Sequence, residues 1–440
     1  MLDNIHDYGS KSHAKWSIDE FDSITNSSDI VARAESEVLE ETYSSEEESD
    51  DDEDIADSDD DLETYGVKHS CPLNSLQAFH CTTSFPPDVL HDLFEGVISQ
   101  DLLGVIRILS VKKWFTLEQY NSSMDNLNYK SYEATDKPQP VPLASKVKKL
   151  KGKACSNWLH IRMFPFIIRN FVKDIDDPVL ELGLKLHEIT ERLTASEFKE
   201  YEVDVLEEKI IEYLDDRKKI YDDYPVIGSP KPKTHFLTHY PQAIRLFGPP
   251  LSYWTARYES RHRIAKNTAE ASKNFKNISL TVSTRQMMRL SSVYYHGMFA
   301  TSELLITDKI SFKSSLSGKS DFEKSILPFM SEKDFLCAEI EINSQLYRNG
   351  QLVVLEMFSP DEMKIGLIVS ILVKENSAYF VTNQYVAKRV PLQYFHAKSD
   401  DPTMAITDSS QILDYKPLIN HGTPSHLFFC LHHHISYSYP

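Results

Sequence analysis

From Phe85 the chain reads Phe-Pro-Pro-Asp-Val-Leu-His-Asp-Leu-Phe-Glu-Gly-Val, and Val89, Leu90, Leu93, Phe94, Val97 and Ile98 recur at the spacing of a buried helical stripe. Pro86 and Pro87 suit a first helical turn, where a missing N–H costs nothing. The pattern predicts a helix running to about Ser110, entered from a short strand over Leu76 to Thr83 and carrying Asp88, His91, Asp92 and Glu95 on its polar face. Two readings of that face stand side by side. Carboxylates in a first turn are favoured by the helix dipole and face water, or a carboxylate and an imidazole at i, i+3 are held there for a metal.

Further along, Trp158, Ile161 and Phe164, then Val179, Leu182, Leu186 and Ile189, then Leu206, Ile210, Ile211 and Leu214 predict three or four packed helices between about 157 and 224. Pro225 to Pro232 breaks the pattern. A helix from Tyr253 then carries Trp254, Arg257, Tyr258, Glu259, Arg261, His262, Arg263 and Lys266. Beyond about 325 the period shortens: Gln351-Leu-Val-Val-Leu, Ile365 to Val373 and Ser377 to Thr382 are β-branched and aromatic runs set off by Asn349-Gly350 and Glu375-Asn376, the pattern of a small all-β module. The expected class is α+β with a mainly helical centre, in three parts: 1–65, 66–325 and 326–440.

Charge changes the picture at one end only. Residues 1 to 65 carry 23 Asp and Glu against 3 Lys and Arg (−20), whereas 66 to 440 carry 43 against 44 (+1), so the formal net charge of −19 belongs to the first segment. With 13 acidic residues between Glu46 and Glu63, that segment cannot bury enough apolar surface to offset its ordering entropy and is expected to be disordered. It is either a solubilising linker or a contact for a basic protein partner. Five scattered cysteines make no disulfide framework, and no apolar run reaches the roughly 18 residues of a membrane span. A soluble intracellular protein without a membrane partner is expected, and the start Met-Leu-Asp-Asn-Ile-His-Asp is no signal peptide.

Candidate chemistry lies in three places. The Lys146-Val-Lys-Lys-Leu-Lys-Gly-Lys153 loop, with Lys146, Lys148, Lys149, Lys151 and Lys153, is a nuclear-import signal, a phosphate contact or a solvated loop. On the helix after Tyr253, Glu259 either pairs with Arg263 or binds a metal while Arg257, Arg261, Arg263 and Lys266 hold nucleic-acid phosphates. Cys430 with His432, His433 and His434 has no second ligand pair at a finger-like spacing and reads as an irregular surface tail.

Three of these motifs together resemble the transposases of the CACTA (En/Spm) type and sequences derived from them, over about 65 to 435. Asp88-Val-Leu-His91 is similar to the family's Asp-x-x-His element, which holds the second carboxylate of a metal-binding triad. Lys233-Thr-His235 with His239-Tyr-Pro241 resembles the family's lead-in, and Glu259 followed seven residues later by Lys266 resembles the element with the third carboxylate. The resemblance implies a partial RNase H-like core with a helical insertion over 100 to 224, an SH3-like C-terminal barrel, and DDE-type phosphoryl transfer on DNA with two Mg²⁺ or Mn²⁺ ions held by Asp88 and Glu259. His91 would support Asp88. The strand that carries the first carboxylate in such a core has no counterpart, since Asp3, Asp7, Asp19 and Asp22 lie in no Val- and Ile-rich run. The expected function is therefore a transposon-derived protein, catalytically incomplete, with residual DNA or protein binding and a nuclear location. The alternatives are an active metal-dependent nuclease or strand-transferase, and a non-enzymatic interaction module using the acidic segment.

Overall fold

The computed structural model describes residues 84–129, 131–144, 146–274, 276–296, 334–375, 377–398, 402–423 and 425–436, with 72–77, 79 and the backbone of 304–306. The acidic segment 1–65 and most of the strand expected over 76–83 lie outside the described residues. The chain divides into two compact units, Gly9–Pro86 and the remainder. In the first, the described part is a 3-10 turn at Pro72–Ser75 and an edge-on contact of Phe79 with Phe85, ring centroids 5.4 Å apart.

The second unit is α+β. Its helical part opens with a π-helical segment, Leu90–Val97, that runs directly into α1 (Ile98–Val111). There follow α2 (Leu117–Asp125), α3 (Ala154–Ile168), α4 (Pro178–Leu193) and α5 (Glu200–Asp223), then the short α6 (Pro232–His235), α7 (Tyr240–Phe247) and α8 (Pro250–Tyr253), and finally α9 (Ala256–Ser272) and α10 (Ile278–Tyr295). Local chemistry fixes several starts. Thr116 and Gln119 form a reciprocal capping box at α2, and Asp177 accepts from the amides of Val179 and Leu180 ahead of Pro178 at α4. Helix α3 is apolar nearly all round and correspondingly buried, which makes it the centre of the helical core. The three helices α3, α4 and α5 occupy the stretch where periodicity predicts three or four.

A buried ion pair ties α1 to α5. Arg217 donates from Nε to Asp101 Oδ2 at 2.7 Å and from Nη2 to Oδ1 at 2.9 Å, while the Tyr213 hydroxyl donates to the same carboxylate at 2.5 Å. Both charged side chains are about 1% exposed. Two-point geometry with a third donor is what a buried carboxylate needs to offset its lost hydration.

The β part is antiparallel throughout. Strands β1 (Leu304–Ile306), β3 (Glu339–Ile342) and β4 (Gln345–Arg348) form a small sheet in the order β1-β3-β4. The larger, nearly closed, barrel-like sheet has the order β10-β5-β6-β7-β8-β11, with β2 added on β6 and β9 on β7. Its strands are β2 (Phe335–Cys337), β5 (Gln351–Ser359), β6 (Glu362–Lys374), β7 (Ser377–Arg389), β8 (Phe395–Lys398), β9 (Thr403–Asp408), β10 (Leu418–Ile419) and β11 (His426–Phe429). The long β6–β7 hairpin is the spine. Its register shifts between Ile368 and Ser370, and the extra residue bends the pair, so that β5 and β8 pair at one end of the hairpin and β2 and β9 at the other. The predicted turn at Asn349-Gly350 is present, with Gly350 at φ 85°.

One expectation is corrected here. Cys430 to Ser436 is buried rather than a surface tail. Most of its polar groups have partners: His434 Nε2 lies 3.0 Å from Glu202 Oε1, Ser436 Oγ donates to Glu202 Oε2 at 2.6 Å, His432 Nε2 meets the Pro417 carbonyl at 3.2 Å, and the amide of His434 donates to the Glu191 carbonyl at 2.7 Å. Arg389 of β7 closes the seam by pairing with Glu191 of α4, Nη2 to Oε1 at 2.8 Å. Burial alone would raise both glutamates, but Arg389 beside Glu191, and His434 with Ser436 beside Glu202, hold each at about 2.

Candidate functional site

The π-helical segment is the local origin of the site. Its amide of Phe94 donates to the Val89 carbonyl at 3.1 Å, an i→i+5 bond, and the amide of Ile98 reaches Leu93 in the same way. Such widened turns are rare and frequent at functional positions. The widening is stabilised from outside: buried Asn157 donates to the Phe94 carbonyl at 3.1 Å, and the Phe94 ring stacks on Trp158 with centroids 5.1 Å apart. Trp254 meets both rings edge-on, at 6.4 Å from Phe94 and 6.3 Å from Trp158. This aromatic cluster fixes the chain at Trp254 and thereby sets the position of the next residue, Thr255.

Thr255 stands where a helix cap is expected, immediately before α9, yet makes no side-chain cap bond to its own helix. Its hydroxyl donates instead to Asp88 Oδ2 at 2.5 Å, and its amide donates to Asp88 Oδ1 at 3.0 Å. Asp88 also accepts from His91 Nδ1 at 2.5 Å, with longer contacts to the amides of Leu90 and His91 at 3.4 Å. The other ring nitrogen, Nε2, lies 3.1 Å from Glu259 Oε1 in the first turn of α9. Asp88 and Glu259, remote in sequence, are thus joined through one imidazole.

Electrostatics follow the geometry. Burial pushes the Asp88 carboxyl up, but the hydroxyl and amide of Thr255 outweigh it and hold it below the usual carboxylate range. Burial pushes His91 down, and the bond to Asp88 with the charges of Asp88, Glu259 and Glu95 outweighs that and raises it above the usual histidine value. With a carboxylate at each nitrogen, the ring that satisfies both is the cation, donating both N–H groups. The Asp88 side chain is 18% exposed, His91 42% and Glu259 52%, so the relay runs from a covered end to an open one.

Asp92 departs from the expected water-facing position. It is buried, because the i→i+5 turns rotate it off the polar face and its Oδ2 accepts the Asp88 amide at 3.0 Å; burial raises its pKa. Glu95 is exposed. Lys233 of α6 runs across Gly96, where a Cβ would sit 2.7 Å from Lys233 Cδ, and donates to the His91 carbonyl at 2.8 Å. The hydroxyls of Tyr240 and Tyr253 are buried with no hydrogen-bond partner among the described residues, and Asp88 contributes to raising both.

The expected phosphate-binding residues divide into two groups. Lys146, Lys148, Lys149, Lys151 and Lys153 are exposed on a loop that Arg107 holds by its carbonyls, Nη1 to Val147 O at 2.5 Å and Nη2 to Ala144 O at 2.7 Å. The loop is also pinned beside the site, since the amide of Leu150 donates to Ser99 O at 2.7 Å. On α9, Arg261, Arg263 and Lys266 are exposed and Arg257 is half-buried. Both basic groups are therefore anchored to the segment 88–99, one through Ser99 and one through Asp88.

The oxygens do not fit a two-ion site as they stand. A divalent ion between Asp88 and Glu259 would need the positions that His91 and Thr255 occupy, and among the described residues no group of three His, Cys, Asp or Glu side chains converges for a metal. What the arrangement does is orient one charged imidazole between a buried and an open carboxylate. Of its members, Thr255 is the one absent from the sequence-level candidates; the Thr directly before a helix was its only signal.

Fold and site together define an α+β protein with a carboxylate–imidazole–carboxylate relay flanked by exposed basic side chains. Compared with protein-family models, curated proteins and solved structures, the chain matches none.

Proposed function

We propose that this chain is a transposon-derived protein on the scaffold of a CACTA-type transposase, which associates with the DNA backbone and does not cleave it. In this reading the helices over 100 to 224 are the insertion of a partial RNase H-like core, and the barrel-like sheet is its SH3-like module. The observation that carries the reading is the meeting of Asp88 and Glu259 at the two nitrogens of His91, with a basic group fixed at each end of the same segment. The imidazole supplies one positive charge where the related chemistry uses metal ions, so both carboxylates have a partner without a metal ion and no phosphoryl-transfer step is assigned.

Binding of a fluorescent mixed-sequence duplex, measured by anisotropy from 50 to 300 mM salt, tests this. Each Lys or Arg lost from a phosphate contact lowers the salt slope by about 1. The K148A/K149A/K151A variant and the R261A/K266A variant should each weaken binding and flatten that slope, and removal of residues 1–65 should tighten it. No binding at 50 mM salt, or slopes unchanged in both variants, would overturn the DNA reading. Plasmid nicking with Mg²⁺ or Mn²⁺ that is lost in E259Q would restore the nuclease alternative.

A further inference from the structure

A second pair of imidazoles lies outside the relay. His235 and His239 stand at i and i+4, with Pro232 opening the first turn and Leu237 and Tyr240 buried on the inner side. Helical backbone continues through His235, Phe236, His239 and Tyr240, so both histidines project from one exposed face. Their Nε2 atoms are 3.2 Å apart, with ring centroids at 4.8 Å and ring planes at 87°.

We propose that His235 and His239 chelate one late first-row divalent ion, of the Cu²⁺, Ni²⁺ or Zn²⁺ class, through their two Nε2 atoms. The two nitrogens share a hydrogen bond, one ring donating to the other, and the ion takes the place of that proton once the donor ring shifts to its Nδ1–H tautomer. At the usual metal–histidine distance of about 2.0–2.1 Å, nitrogens 3.2 Å apart subtend about 100° at the ion, between the square and the tetrahedral values. Perpendicular rings allow both in-plane lone pairs to reach a common point. The backbone is held on its buried side, so little ordering cost remains at binding.

The protein supplies a contrast. His396 and His426 also approach closely, Nε2 to Nδ1 at 3.4 Å, with their rings within 4° of parallel and centroids 5.7 Å apart. That separation puts the two nitrogens head-on in one plane, so they share a hydrogen bond and their in-plane directions meet on the N···N line, too close to both rings for an ion. Two nitrogen ligands leave the remaining positions to water or to a donor on an incoming molecule, and they favour Cu²⁺ over Ni²⁺ and Zn²⁺ while excluding Mg²⁺, which prefers oxygen. The inference is independent of the reading of the Asp88 relay.

Titration of the full chain with Cu²⁺ at pH 7.5, followed by electron paramagnetic resonance, tests it. The first equivalent should show coupling to two nitrogens and persist in excess Mg²⁺. H235N and H239N should each weaken that equivalent at least tenfold and reduce the coupling to one nitrogen, whereas H91N and H396N/H426N should leave it unchanged. A first equivalent that keeps its affinity and two-nitrogen signature in H235N/H239N, or that is lost in H91N or H396N/H426N, overturns the proposal, as does the absence of any two-nitrogen signal. Circular dichroism of each variant checks that the exposed substitutions leave the fold intact.

Discussion

Thr255→Val tests the tether on which the site depends. Valine keeps the shape of the side chain and removes one donor, the hydroxyl 2.5 Å from Asp88 Oδ2, while the Thr255 amide still reaches Oδ1 at 3.0 Å. A hydrogen bond to a charged partner contributes about 1.5–3 kcal/mol, and the Asp88 side chain is covered enough for that range to apply with little screening. The measurement is a double-mutant cycle in urea with T255V, D88N and the two combined. Residues in direct contact should couple within about 0.5–3 kcal/mol, with the upper half expected here. Acid gives a second readout. Asp88 is held below its ordinary value, so its stabilisation is present above the unfolded pKa of about 3.9 and is lost as pH falls through the lower folded value. The T255V deficit should therefore be full at neutral pH and shrink below about pH 4. Additivity within about 0.3 kcal/mol, or a deficit that is flat with pH, would refute the tether.

Three further outcomes can be checked on the same protein. His91 is raised in the folded state, so its contribution is fully present below the unfolded value of about 6.5 and lost as pH rises through the folded value; the stability gap between the parent and H91N should narrow in that direction, and a ring titration by NMR at or below 6.5 would contradict it. R217M should cost about 3–5 kcal/mol in urea, because it strands Asp101 without its two-point partner, and D101N/R217M should cost less than the sum of the two single changes. G104A should cost about 1–3 kcal/mol, since a Cβ there would lie 2.6 Å from Ile227 Cγ1 and 2.9 Å from its Cα; an unchanged urea midpoint would show that the turn after α5 yields freely.

What was legible in the sequence was whatever repeats. The stripe from Val89 to Ile98 and those of α3, α4 and α5 follow from apolar spacing, and the strands of the β6–β7 hairpin from β-branched runs bounded by turn residues. The i→i+5 widening has no such signal, because it is imposed by partners brought from α3 and from Trp254. That is why Asp92 was expected in water and is buried. Thr255 was hidden for the opposite reason: a Thr before a helix has a sufficient local explanation as a cap, and nothing nearby shows that its hydroxyl is committed to Asp88. The run Cys430 to Ser436 has no period at all. Its burial depends on Glu191 and Glu202, more than two hundred residues upstream, and on the Pro417 carbonyl.

The same geometry sets the relation between stability and metal chemistry at Asp88. A carboxylate offers about four lone-pair directions, and Thr255 Oγ1, the Thr255 amide and His91 Nδ1 already take three at 2.5–3.0 Å. The amides of Leu90 and His91 share what is left at 3.4 Å. A divalent ion at Asp88 must therefore displace a donor, and the two candidates differ in consequence. Displacing His91 leaves Glu259 without its imidazole partner and costs little burial, because both groups stand more than 40% exposed. Displacing Thr255 releases the start of α9 from the π-helical segment and moves every basic residue that α9 carries. The stabilising tether and an ion-filled site are thus competing uses of one side chain, and T255V, by weakening the first, should raise whatever affinity Asp88 has for the second.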